Sequence, residues 1–166
     1  MDHRDAVDML RNAPLVGNVP QRWADLGCGT GTFTCALAEL LPSGSTITAM
    51  DRDAKTLQQV PEQHGGTSIV KQVGDFIQDA LPSTDLDGIL LANALHFVRH
   101  QADLIRVLME HLSPTASSCW WNTTWTHQAR GCRIPCPAPR RRNCSAWRVS
   151  HLSHAWLTDR PHSGAR

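Results

Sequence analysis

Trp23-Ala24-Asp25-Leu26-Gly27-Cys28-Gly29-Thr30-Gly31-Thr32-Phe33 is the stretch on which the reading of this chain turns. The apolar run into Asp25 suits a buried strand, and the three glycines at alternate positions suit a turn that opens a helix. A turn without β-carbons lets backbone pass close to a bound molecule. The helix start behind it aims free N–H groups at the polar end of that molecule.

Outward from this loop, strands and helices alternate. Residues 22–26 form the first strand; before them, residues 2–12 suit a short polar helix and residues 14–20 a loop. Residues 32–41 (TFTCALAELL) set apolar side chains at helical spacing, and Pro42-Ser43-Gly44 ends the helix. Residues 45–50 (STITAM) read as a β-branched strand ending at Asp51, and residues 54–60 as a helix stopped by Pro61. Residues 67–73 give a third strand, ending at Gly74-Asp75-Phe76. Residues 86–92 (LDGILLA) give a fourth, apolar almost throughout, as a strand buried on both faces should be. Residues 102–112 form a helix with Leu104, Ile105, Leu108 and Leu112 on one side, ended at Ser113-Pro114.

This alternation predicts an α/β fold, a doubly wound parallel sheet with helices on both faces. Ligands of such sheets lie beyond the carboxyl ends of the strands, where the strand order reverses. Asp25 with the glycines, Asp51, Asp75 and Asn93 follow four successive strands, so four strand ends converge on one crevice.

Acid-x-Gly-x-Gly-x-Gly, spelled here from Asp25 to Gly31, resembles the first motif of class I S-adenosylmethionine (SAM) methyltransferases. The resemblance covers about residues 20–114. It implies a Rossmann-like sheet of the class I methyltransferase type, SAM as cofactor, and methyl transfer to a small-molecule acceptor. Under it, Gly27, Cys28, Gly29 and Gly31 pass beside the methionine moiety. Asp25 anchors the ammonium, directly or through water, or caps local N–H groups. Asp51 accepts from both ribose hydroxyls; an acid about 20 residues after a glycine loop suits that task, and Asp53 is the rival for it. Asp75 resembles the adenine contact, with Phe76 covering the ring; the alternative for Asp75 is a plain turn residue. Asn93, in Ala92-Asn93-Ala94-Leu95-His96-Phe97, lines the transfer site and the cofactor site. His96 is the candidate general base, with a structural role as the alternative.

The chemistry asks little of the protein. An in-line nucleophile held close to the methyl is most of what is needed, and a base enters only if the acceptor must first lose a proton. A nicotinamide dinucleotide fingerprint fits less well. It wants glycines at its first, third and sixth positions, and the sixth position from Gly27 is Thr32.

Composition divides the chain in two. Its 166 residues match one domain, 41% are hydrophobic, and no apolar run approaches a membrane span. The start carries Asp2, Asp5 and Asp8 with no apolar leader segment, so a cytoplasmic protein is expected. Net charge is +1, but residues 1–114 carry −6 and residues 115–166 carry +7. Residues 115–166 contain no Lys, Glu, Tyr or Phe, hold five of the six Trp, and show no period of 2 or 3.6.

That is the composition of GC-rich coding DNA read out of frame. Joining the last base of each codon to the first two of the next makes Cys119–Trp120 spell Leu, Trp120–Trp121 spell Val and Trp121–Asn122 spell Glu. Apolar residues precede them if Ser117 and Ser118 use their four-codon box. The shifted frame thus reads as a missing fifth strand. The domain division that follows is a SAM-binding part over 1–114 and an irregular, frameshifted or disordered tail over 115–166, with the sheet incomplete after its fourth strand. Function then reads as SAM-dependent methyl transfer, possible impairment by the tail included. The alternatives are a SAM-binding protein without turnover, and a methyltransferase that uses Arg140-Arg141-Arg142 and the tryptophans on nucleic acid. Zinc at Cys119, Cys132, Cys136, Cys144 and His127 has only one short Cys spacing in its favour, and no metal is expected.

Overall fold

The computed structural model describes residues 2–11, 18–81, 84–114 and 116, with the backbone of 120–121, 131–132 and 149–150. The elements run α1 (His3–Leu10), β1 (Arg22–Leu26), α2 (Thr32–Leu40), β2 (Thr46–Asp51), α3 (Ala54–Leu57), β3 (Gln63–His64), β4 (Thr67–Val73), β5 (Gly88–Leu90), a 3-10 turn (Leu95–Phe97), α4 (Gln101–Glu110), β6 (Trp120–Trp121), β7 (Gly131–Cys132) and β8 (Val149–Ser150). The main sheet has the order β3-β4-β2-β1-β5-β6. All its pairings are parallel except β3 with β4. From β1 the chain steps outward through β2 to β4, then returns to lay β5 on the other side of β1. The order therefore reverses between β1 and β5.

Alternation along the strands sends side chains to two separate cores. On one face Trp23, Ile47, Ala49, Ile69 and Leu90 pack with Val7 and Leu10 of α1 and Phe33, Ala36 and Leu37 of α2. On the other, Ala24, Leu26, Met50, Ile89 and Leu91 pack with Ile105 and Leu108 of α4. Each fully buried Leu or Ile contributes roughly 1.5–3 kcal/mol, so the sheet is held from both sides. The crossing of β1 over β5 is tight. Trp23 lies opposite Gly88, and a β-carbon there would sit 2.5 Å from the indole ring.

The four expected strands and the helices are present, with α3 and β5 shorter than expected. The β3–β4 hairpin is an addition. Its signal was the two-residue turn Gly65-Gly66, whose φ angles of +58° and +89° suit a tight hairpin. The sheet, expected to be incomplete after its fourth strand, carries one further short pairing, of Ile89 and Leu90 with Trp120 and Trp121. An open strand presents free N–H and C=O groups to any segment that can reach it, so pairing needs backbone rather than a strand-like pattern. The pairing falls where the shifted frame spells Leu-Val-Glu. In the tail, Gly131–Cys132 and Val149–Ser150 pair antiparallel. Apart from Ala116, the rest of 115–166 lies outside the described residues, with Arg140-Arg141-Arg142 and the side chains of the tail cysteines and tryptophans.

Candidate cofactor site

The glycine loop is stitched to the end of β2. Gly27 and Cys28 donate their N–H groups to the Met50 carbonyl at 2.8 and 3.1 Å. Gly29 donates its N–H to Asp51 Oδ2 at 2.8 Å, while Asp51 Oδ1 accepts from the Asp53 N–H at 2.9 Å. Asp53 in turn caps α3 by accepting from the Lys55 N–H at 2.9 Å. The two rival carboxylates thus do different work: Asp51 braces the loop and Asp53 starts a helix. The Gly31 carbonyl accepts from the Cys35 N–H at 2.9 Å, which opens α2.

All three glycines are left-handed, at φ +75°, +56° and +84°. Their surroundings differ. A β-carbon on Gly27 would lie 2.8 Å from the Ala94 β-carbon, and one on Gly31 would lie 2.9 Å from Val60 Cγ2. One on Gly29 would meet nothing within 4 Å. Gly27 and Gly31 serve internal packing, whereas Gly29 faces open space.

That space is a cavity of about 360 Å³ at the reversal of strand order. It is walled by Gly27 and Gly29 after β1, Asp51, Arg52, Asp53 and Thr56 after β2, Gly74 to Ile77 after β4, and Asn93, Ala94 and Phe97 after β5. Its size falls within the roughly 300–1,000 Å³ of small-molecule sites. Asp75 is both a wall residue and a turn residue. Its Oδ1 accepts from the Ile77 N–H at 2.9 Å, and its own N–H donates to Asp79 Oδ2 at 2.8 Å. Asn93 reaches the wall in a left-handed backbone at φ +55°.

Asp25, Cys28 and Gly31 are not among the wall residues. Asp25 is fully buried behind the loop; its Oδ2 accepts from the Thr34 hydroxyl at 2.6 Å and its Oδ1 has no hydrogen-bond partner. Burial pushes its carboxyl from the ordinary 3.8 up to about 7, against the Thr34 hydrogen bond and with help from the Asp51 charge. Burial also raises the Cys28 thiol, with the charges of Asp25 and Asp51 adding to it, so this sulfur stays protonated and unreactive. His96 is exposed, outside the wall, and packs against Phe97 with ring centroids 3.9 Å apart and planes tilted by 40°. Phe97, 74% exposed, takes the wall position instead. Sequence reasoning missed Phe97, Arg52 and Thr56. No spacing rule in the sequence signals these three positions.

A family profile described as a methyltransferase domain matches residues 24–117, more than half of the chain. The chain belongs to the methyltransferase-domain family. Within it, the chain carries a class I SAM-dependent methyltransferase domain over part of its length. Trans-aconitate 2-methyltransferase of Streptomyces coelicolor is 33% identical over 115 residues, spanning 67% of this chain and 37% of that protein. The Mycobacterium tuberculosis protein of the same name is 33% identical over 94 residues, spanning 57% and 34%. The chain thus spans little more than a third of the length of these relatives. Among solved structures, a SAM-dependent methyltransferase from Mesorhizobium loti is 29% identical with a TM-score of 0.54, over 66% of this chain and 48% of that one. No helix among the described residues of this methyltransferase domain is long and apolar enough to cross a membrane.

Proposed function

We propose that this chain binds SAM in the cavity beside Gly29 and transfers its methyl group to a small acceptor in the cytoplasm. The observation that carries the reading is the open space above Gly29, next to the Asp51 carboxylate, at the reversal of strand order. The donor set fits the group. Asp51 and Asp75 are carboxylates suited to ribose hydroxyls and an exocyclic amine, and Phe76 offers an apolar cover for a ring. Asn93 supplies an amide at the transfer end. Asp25 fits an ammonium by its orphaned buried oxygen; since it stands behind the wall, that contact runs through the loop or a water. Gly27 shares the wall with Gly29, while Cys28 and Gly31 act by holding the loop rather than by touching the ligand.

When bound, SAM supplies an electrophilic methyl on a sulfonium leaving group. This chain's residues then need only to fix the donor and exclude alternatives, which the braced loop and the Phe76 and Phe97 rings are placed to do. An ionised carboxylate acceptor is itself a nucleophile and needs no base. That agrees with a cavity wall that holds Phe97 and not His96, and it makes trans-aconitate, named for the relatives, the first acceptor to try.

Calorimetric titration of S-adenosylhomocysteine tests the reading. One saturable site is expected, weakened at least about tenfold by Asp51→Ala. His96→Ala is expected to change turnover by less than about twofold, whereas loss of about a hundredfold or more is the effect of removing a working base. Absence of saturable heat from a chain shown folded by circular dichroism would overturn the proposal.

A further inference from the structure

At the end of the sheet opposite the cavity, three side chains from three elements converge. His3 opens α1, Glu39 lies in the last turn of α2, and His64 ends β3. His3 Nε2 lies 2.8 Å from Glu39 Oε2. The His3 and His64 rings meet edge to face, with centroids 5.5 Å apart and planes at 66°. One donor atom from each of the three residues lies within 4.8 Å of the others. The residues are 36 and 25 positions apart along the chain, so no sequence spacing announces the cluster.

Each donor is held by its own backbone anchor. Asp2 and Asp5 form a reciprocal capping box that fixes the start of α1 around His3. The Thr67 hydroxyl donates to the Ala38 carbonyl at 3.2 Å, which ties the hairpin carrying His64 to the turn carrying Glu39. A β-carbon on Gly65 would lie 3.4 Å from the Glu39 α-carbon, so hairpin and helix are in direct contact. The imidazoles and carboxylate themselves remain open to solvent, with His3 and Glu39 side chains 41% and 50% exposed. An ion therefore has an entry path.

We propose that His3, Glu39 and His64 form a binding site for a divalent transition-metal ion of the zinc, cobalt and nickel type, with water completing the coordination. Two imidazoles and one carboxylate are a donor set that these ions take and that magnesium and calcium do not favour. Ligand atoms around a tetrahedral ion with bonds of about 2.0–2.1 Å stand about 3.3–3.4 Å apart. The present donors, all within 4.8 Å of one another, stand within about 1.5 Å of that spacing. The ion ties α1 to the sheet. The length of α2, about 13.5 Å for nine residues at about 1.5 Å each, separates it from the glycine loop, so the ion acts on the fold rather than on methyl transfer.

The test is cobalt and zinc titration of the full, metal-stripped chain, followed by absorption spectroscopy and thermal denaturation. One cobalt per chain is expected, with the visible bands of a four- or five-coordinate site, no thiolate-to-cobalt charge transfer, displacement by zinc, and a raised Tm. Glu39→Gln, which keeps shape and can still hydrogen-bond His3, and His64→Gln should each weaken binding by at least about tenfold and abolish the metal-dependent rise in Tm. Equal affinity in the chain and both variants, or charge-transfer bands that report the tail cysteines as ligands, would overturn the assignment. So would absence of binding by a chain that melts cooperatively. S-adenosylhomocysteine affinity, measured alongside, should be the same with and without metal.

Discussion

At the scale of single residues, the three loop glycines separate by what stands beside them. Gly29→Ala meets no steric obstacle and costs only the left-handed backbone, about 1 kcal/mol. Its methyl group enters the proposed cofactor space, so S-adenosylhomocysteine affinity should fall about tenfold or more. Gly31→Ala adds a 2.9 Å approach to Val60 and should lose stability first, by about 1–3 kcal/mol in urea denaturation. Equal effects of the two on binding would remove the distinction. Asp25 makes a second prediction. Its folded-state pKa of about 7 lies above the ordinary 3.8, so the folded state holds the proton more tightly. The stability this group contributes is complete below pH 3.8 and is lost as pH rises through 7. Asp25→Asn keeps an acceptor for Thr34 and carries no charge. Its stability relative to the parent chain should therefore rise by about 2–3 kcal/mol between pH 5 and pH 8. Parallel stability curves would assign the orphaned carboxylate a different ionisation.

Among elements, the contact between β1 and β5 sets the reversal point at which the cavity forms. Trp23 lies flat against Gly88 and donates its indole N–H to Gln21 Oε1 at 2.8 Å, which fixes the ring. Gly88→Ala forces a β-carbon into that ring and should cost about 1–3 kcal/mol. Trp23→Leu removes the obstacle. In the double variant the Gly88→Ala penalty should shrink, which a double-mutant cycle of urea midpoints measures. Strict additivity would mean that the strands move apart rather than clash.

For the whole molecule, every described residue of the cavity wall lies at or before Phe97. A chain with the shifted frame restored after Pro114 is expected to bind S-adenosylhomocysteine within about threefold of the present chain and to melt at a higher temperature. The reason is that a longer fifth strand covers more of β5 than the two pairs Ile89–Trp120 and Leu90–Trp121. Binding by the restored chain alone would show that the cofactor site depends on strands beyond β5.

Sequence alone determined the class of fold and the floor of the site. Apolar runs of strand length, alternating with helical periods, leave one economical way to bury both kinds of face. The glycine spacing after Asp25 dictates a turn that only backbone without β-carbons can make, and Asp51 and Asp75 follow from ending strands at acids. Tertiary structure decided what depends on direction and on distant partners. It gave Phe97 rather than His96 a place in the cavity wall, with the two rings in contact. It put Asp25 behind the loop, where lost hydration rather than local sequence raises its pKa. It also brought His3, Glu39 and His64 together from three elements. Local patterns record which face a residue prefers, whereas side-chain direction and long-range proximity are set only when the sheet and its helices pack.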